Sequence, residues 1–332
     1  MDRPSEGKVS SANRLSLPTR RSVDTAAAVS GFAARWIQTK PRRIRLSWAT
    51  TCLSRCFAWL GRQRIDQQKQ PFHLEQFECS LIGDQAINQD AVAHHIGDDW
   101  ALLLVADGLG GYPAGEVASA KICKAVIDRT LAYIETIQAD PLKGMRSCLQ
   151  QATSDLQQYL ALSDDTRRAQ TTLALVWLNA DHLITAHIGD SRVYLVDEHQ
   201  IHWQTRDHSV TQMLLDEGSI GEDQMGDHPD QGKLFRCLGV ERQDTVKVRA
   251  YPALKPGQLL LLCSDGFWGG TRRDEIIALA AAENLSAALQ QRAACAVKRA
   301  QGDSDNVSAQ IARWAQIQGS GYESGAVPGA QL

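Results

Sequence analysis

No stretch of the 332-residue chain approaches the ~20 uninterrupted apolar residues that a membrane-spanning helix needs. Cysteine occurs eight times but never as a CxxC pair. Cys52 and Cys56 stand closest, with three residues between them, and no second pair completes a zinc site of the usual spacing. The thiols are read as reduced, which places the chain in the cytoplasm, since a body this large needs no disulfide staples. The nine histidines form no HExxH pair, and no G-x-x-x-x-G-K-[ST] loop occurs, which excludes a P-loop kinase or ATPase. A calcium-binding EF-hand starting at Asp303 fails as well. Asp305 fits its second ligand, but the central glycine and terminal glutamate are missing. With 43% hydrophobic and 22% charged residues, the chain is neither disordered, collagen-like nor a disulfide-stapled miniprotein.

What is present is unevenly distributed. The net charge of -3 hides a basic arm on an acidic body. Residues Met1 to Gln70 carry 14 Lys and Arg against 4 Asp and Glu, whereas the remainder carries 21 against 34. Met1 to Ala28 is Ser- and Arg-rich without hydrophobic periodicity and is expected to be disordered. Ile44 to Leu60 places Leu46, Trp48, Leu53, Phe57 and Leu60 between Arg42, Arg43, Arg45, Arg62 and Arg64. That pattern suits an amphipathic helix on a membrane surface or partner. A flexible tail, an organelle-targeting peptide and a mis-called start codon suit it equally. The expected division is therefore an arm over 1–71, a globular body over 72–316 and a flexible, Gly-rich tail over 317–332. The body is expected to act as a monomer, without a nucleic-acid partner.

Within the body, strands are predicted at Phe77–Ile82, Trp100–Ala106, Thr171–Leu178, Leu183–Ile188, Arg192–Val196 and Ile201–Thr205. Three more follow at Val246–Tyr251, Gln258–Cys263 and Ser308–Trp314. Helices are predicted as two pairs, over 114–137 with 141–162 and over 274–282 with 285–299. Blocks of strands separated by helix pairs point to antiparallel sheets with helices outside, an α+β arrangement, and against a βαβ repeat.

The aspartates sit where those strands end. Trp100–Ala106 runs into Asp107-Gly108, the strand before Ser264 runs into Asp265-Gly266, and Ile188 leads to Gly189-Asp190-Ser191-Arg192. Asp305-Asn306 directly precedes the last strand. Carboxylates converging at a sheet rim repel one another unless cations lie between them. Hard divalent ions such as Mg²⁺ or Mn²⁺ accept such oxygen ligands. An isolated Asp-Gly marks an ordinary turn just as well.

In order along the chain stand Asn88-Gln89-Asp90, Val105-Ala106-Asp107-Gly108-Leu109-Gly110-Gly111, Gly115-Glu116-Val117-Ala118-Ser119 and Thr171-Thr172. Then come Gly189-Asp190-Ser191-Arg192, Asp207-His208-Ser209, Leu238-Gly239, Cys263-Ser264-Asp265-Gly266 and Asp305-Asn306. Together these elements resemble the metal-dependent Ser/Thr protein phosphatases of type 2C, the PPM family, over about Phe72 to Trp314. The resemblance implies a four-layer α/β/β/α sandwich of two antiparallel sheets with flanking helices and a centre of two Mn²⁺ or Mg²⁺ ions. It implies that Asp107 bridges the ions, that the Gly108 carbonyl binds one of them, and that Asp265 and Asp305 hold the other. Asp90 matches an acid at the centre, and Asp190 one that helps hold a third, weaker metal in bacterial members. The implied activity is hydrolysis of phosphoserine and phosphothreonine on proteins by a hydroxide bridging two metals, opposing a cognate Ser/Thr kinase. No protein nucleophile is required, so Cys263 and Ser264 are read as buried strand residues and His187 and His208 as structural.

Two positions depart from the pattern. Leu109 stands where eukaryotic members have a His and bacterial members an apolar residue, so the chain looks bacterial. Gln85 stands where the family usually has a phosphate-gripping Arg, and it cannot form a bidentate guanidinium clamp. That loss is what favours the alternative, a phosphoprotein-binding pseudophosphatase with little or no turnover. The stretch Asp216–Asp230 matches the bacterial flap and holds Asp216, Glu217, Glu222, Asp223, Asp227 and Asp230 with no Lys or Arg. It is read either as a solvated loop or as a surface favouring basic residues around the phosphosite. Gln85→Arg is expected to lower the KM for a small phosphate ester by about tenfold, the worth of one charge-assisted contact. An unchanged KM would contradict the assignment of Gln85 to the phosphate.

Overall fold

Leu259, Leu261 and Cys263 alternate along one strand with Leu260 and Leu262, and all five side chains are buried. Successive strand residues face opposite sides, so a strand buried on both faces has to lie between two covering layers. The same holds for Ala101 to Ala106 and for Leu173 to Leu178. The computed structural model describes residues 72–109, 114–240 and 244–315 and meets this requirement. The expected arm over 1–71 with its segment 44–60, Cys52, Cys56 and the tail lie outside the described residues.

Twelve strands and six α-helices follow in the order β1 (Leu74–Leu81), β2 (Asp90–Ile96), β3 (Trp100–Asp107), α1 (Gly115–Ala139) and α2 (Pro141–Leu160). Next come β4 (Gln170–Thr171), β5 (Leu173–Asn179), β6 (His182–Ile188), β7 (Arg192–Val196), β8 (Ile201–Gln204), α3 (Val210–Asp216) and β9 (Leu238–Gly239). The chain continues through β10 (Lys247–Pro252), β11 (Leu259–Cys263), α4 (Asp265–Gly269), α5 (Arg273–Ala280), α6 (Leu285–Arg299) and β12 (Val307–Trp314). One five-stranded sheet has the order β1-β12-β11-β7-β8 and the other β10-β6-β5-β3-β2, both wholly antiparallel.

The alternation sorts the core into three slabs. Leu103, Val105, Val176, Val193, Leu260 and Leu262 fill the space between the sheets. Leu102, Leu104, Leu175 and Trp177 turn the other way, onto Ile122, Val126 and Met145 of α1 and α2. Leu259, Leu261 and Ile311 pack on Ile276 and Leu289 of α5 and α6. Each fully buried aliphatic side chain contributes roughly 1.5–3 kcal/mol. The result is the expected four-layer sandwich.

Helix starts follow local chemistry. Asp140 caps α2 by accepting from Lys143 N–H, with Pro141 in the first turn, and Asn284 caps α6 by accepting from Ala287 N–H. Among the elements that escape sequence reading are β2, the two-residue β9, α3 and α4. β2 (DAVAHHI) is a half-exposed edge strand with two histidines and weak hydrophobic contrast. α3 and α4 are seven and five residues long, too short to show helical periodicity.

Candidate metal centre and its groove

Asp107 closes β3 directly opposite Asp90, the first residue of β2. Its backbone is gripped from the neighbouring chain. The Asp107 N–H donates to Thr172 Oγ1 at 2.9 Å, and its carbonyl accepts from Thr172 N–H at 2.8 Å and from Thr171 Oγ1 at 2.9 Å. Thr172 Oγ1 also shares a 2.6 Å hydrogen bond with Ser191, beside Asp190. Gly108 is obligatory, because a Cβ there would lie 2.3 Å from the Gly115 carbonyl.

Asp190 follows Gly189, whose φ of +94° is a left-handed turn that suits glycine. His208 Nδ1 accepts from the Gly189 N–H at 3.2 Å and stacks on His187 at 4.8 Å. Burial and the adjacent His187 push the His208 pKa down to about 3, so the ring stays neutral and its acceptor nitrogen remains free. Asp265 opens α4 immediately after β11. The same short helix carries Trp268, whose indole N–H donates to the Asp190 carbonyl at 2.9 Å. Arg192 lies 3.5 Å over that indole. Its guanidinium is bidentate to buried Asp207, at 2.8 and 2.7 Å, and donates to Tyr194 Oη at 3.0 Å. Arg192 therefore braces the floor, its guanidinium held by Asp207, Tyr194 and Trp268.

This scaffold brings carboxylate oxygens of Asp107, Asp190 and Asp265 within 4.8 Å of one another. Asp90 lies beside them, with Oδ2 accepting from Ser264 Oγ at 2.8 Å. Asp90 Oδ1 and Asp265 Oδ1 are buried without a hydrogen-bond partner, although buried polar atoms are nearly always satisfied. Burial, reinforced by the neighbouring carboxylates, lifts Asp90 to about 7 and Asp265 to about 6. The same causes hold Asp107 and Asp190 well above the usual range. An all-oxygen donor set with orphaned buried lone pairs fits hard divalent cations.

Asp305 stands outside that tight group, exposed at the rim, with Oδ1 accepting from Asn306 N–H at 2.7 Å. Its charge nevertheless contributes to raising Asp90, Asp107 and Asp265. Asp190, rather than Asp305, completes the tight group with Asp107 and Asp265. Asn306 is a structural tie, accepting from Gln89 N–H and donating to the carbonyls of Ile82 and Ile87. Asn88 likewise turns the chain into β2 by accepting from Asp90 N–H.

A groove of about 1270 Å³ opens from Asp265 and Asp305 and includes exposed Gln85, whose Nε2 donates to the Ser304 carbonyl at 3.2 Å. One wall is the expected flap. Three of its six acids are already paired: Asp216 with Arg206, Glu222 with Arg273 and Asp230 with Lys233. Glu217, Asp223 and Asp227 have no ion pair among the described residues, and only Asp223 and Asp227 of these line the groove. The groove is also lined by Arg272 and Arg273, which sequence reading passed over because two arginines after a turn carry no signal of their own. Cys263 is buried, and burial raises its thiol pKa, which suits a packing role.

Residues 79–314 match the protein phosphatase 2C family. The chain is 32% identical over 170 residues to the serine/threonine phosphatase stp of Listeria monocytogenes, covering 51% of this chain and 67% of that one. The serine/threonine phosphatase PstP/Ppp of Mycobacterium tuberculosis superposes with a TM-score of 0.63 at 27% identity, over 73% of this chain and 99% of that one. A catalytic domain of PstP in complex with two manganese ions superposes at 0.60 with 26% identity, over 72% and 97%.

The lifted carboxyls fix the sign of a pH effect. Between about pH 4 and 7 the native state keeps protons on Asp90 and Asp265 that the unfolded chain has released. Stability of the cation-free protein therefore falls as pH rises through that window. In chelator, the urea midpoint is expected to be lower at about pH 7.5 than at about pH 5, and Asp90→Asn should flatten the slope. A midpoint that is flat or rises over the window would contradict the mutual crowding of these acids.

Proposed function

The chain belongs to the protein phosphatase 2C family, and we propose from that premise that it hydrolyses phosphoserine and phosphothreonine on proteins, opposing a Ser/Thr kinase in cytoplasmic signalling. The observation that carries this reading is the cluster of Asp107, Asp190 and Asp265, with orphaned buried oxygens on Asp265 and on adjoining Asp90. Asp107, Asp265 and Asp190 would hold two divalent ions, with Asp90 alongside, Asp305 closing the rim, the Gly108 carbonyl as a further donor and a third, weaker metal at Asp190. When bound, such ions acidify a shared water and offset charge on the phosphoryl oxygens during in-line displacement.

The chain's own residues supply position. Thr171 and Thr172 fix the Asp107 backbone, and Trp268 fixes that of Asp190. Gln85 can turn its amide from the Ser304 carbonyl toward a phosphate oxygen, but it brings no charge. A pseudophosphatase that only binds phosphoprotein rests on Gln85 alone, since every acid of the cluster is retained.

Phosphate release from a phosphothreonine peptide decides between them. It is expected with Mn²⁺, absent in chelator, and reduced by at least about 100-fold in Asp265→Asn, the scale of losing an electrostatic group at a reacting centre. Activity that survives chelation or the Asp265→Asn change would contradict the metal-dependent reading. A protein that binds Mn²⁺ and phosphopeptide without turnover would favour the pseudophosphatase.

A further inference from the structure

Arg272 and Arg273 share the groove with Asp265 and Asp305, and with Asp223 and Asp227 of the flap. Glu275, one of the carboxylates that Arg272 reaches, is already taken. The Glu275 carboxylate is held by Arg299 at 2.5 and 2.6 Å, by Arg292 at 2.6 Å and by the Arg272 backbone N–H at 2.9 Å. Those contacts pull the Glu275 pKa down to about 2, so it is fully ionised and saturated. The Arg272 guanidinium reaches Glu275 and Asp274 only at 3.4 Å, with its side chain 67% exposed. Arg273 reaches only Glu222, again at 3.4 Å, with 55% exposure. Contacts that long and that wet hold a guanidinium weakly. Arg299 and Arg192, by contrast, are committed.

We propose that Arg272 and Arg273 form a subsite for an acidic side chain of the substrate polypeptide, a few residues from the phosphorylated one. This rests on the phosphatase reading and adds a substrate class to it. The other four residues of α4 and a two-residue turn separate Asp265 from Arg272, a span of roughly 10 Å at about 1.5 Å per helical residue. An extended peptide advances about 3.3 Å per residue, so the acid belongs two to four residues from the phosphate. Planar guanidinium forks suit carboxylates at that distance. Asp223 and Asp227, which have no ion pair among the described residues, line the same groove and would repel an acid bound elsewhere along it, so the acid is favoured on one side of the phosphoresidue only. The pairing of Glu222 with Arg273 also means that the flap's acids do not present a uniform surface for basic substrates.

The test uses the full chain with Mn²⁺ and phosphothreonine peptides carrying Glu or Gln at positions two to four on either side. Wild type is expected to show kcat/KM about fivefold higher for Glu than Gln on one side, the scale of a partly exposed ion pair. In Arg272→Gln/Arg273→Gln that ratio should fall to about one. Because the ratio is read within each protein, a general loss of activity in the variant cancels. A ratio near one in wild type, or one unchanged in the variant, would overturn the subsite. Fluorescence anisotropy with non-hydrolysable phosphonate versions of the same peptides gives the ratio independently of turnover. A chain that turned over none of the peptides would thus contradict the phosphatase reading, while the affinity ratio still judged the arginines.

Discussion

Three carboxylates from three separate strand ends, Asp107, Asp190 and Asp265, lie within 4.8 Å of one another where little water reaches. If ionised without a counter-charge, each pair at that separation costs about 3 kcal/mol at an effective dielectric of about 20. Burial lifts these carboxyls first and their mutual repulsion adds to it, so the cation-free protein favours holding protons there. Cations relieve that repulsion better, because they also occupy the lone pairs that no hydrogen bond reaches. Much of the surrounding structure exists to keep the acids in this unfavourable proximity.

Two kinds of support do so. The hydrophobic sandwich sets the distance between strand ends, since β3 and β11 belong to different sheets yet both contribute to the slab between them. Polar ties then aim the carboxylates. The buried Arg192–Asp207 pair, the Trp268 indole beneath the guanidinium and the neutral His208 each fix one part of the turn that carries Asp190. Removing one partner of such a buried pair typically costs about 3–5 kcal/mol, so this brace is part of the fold as well as of the site.

Much of this was legible in the sequence. Antiparallel sheets with helices outside followed from strand blocks and helix pairs, whereas the family, and with it the four-layer sandwich, followed from ordered elements such as Val105 to Leu109 and Cys263 to Gly266. Asp107, Asp190 and Asp265 could be picked out because each ends an apolar run. What stayed hidden depends on packing between segments distant in sequence. β2 was missed because its alternation is too weak in hydrophobicity. Nothing local distinguishes exposed Asp305 from clustered Asp190, or paired Asp216 and Glu222 from unpaired Asp223. Arg272 is left weakly held because Arg292 and Arg299, some 20 residues further along, fill Glu275, whereas Arg273 reaches across to exposed Glu222, some 50 residues away.

The claim that cations complete this acid cluster is tested most directly by calorimetric titration of the full chain with Mn²⁺ in two buffers of different ionisation enthalpy. The account predicts binding of two ions, as in the manganese-bound PstP domain, with protons released near neutral pH from the lifted carboxyls, and loss of binding in Asp107→Asn. No binding, or binding without proton release that Asp107→Asn leaves intact, would contradict it.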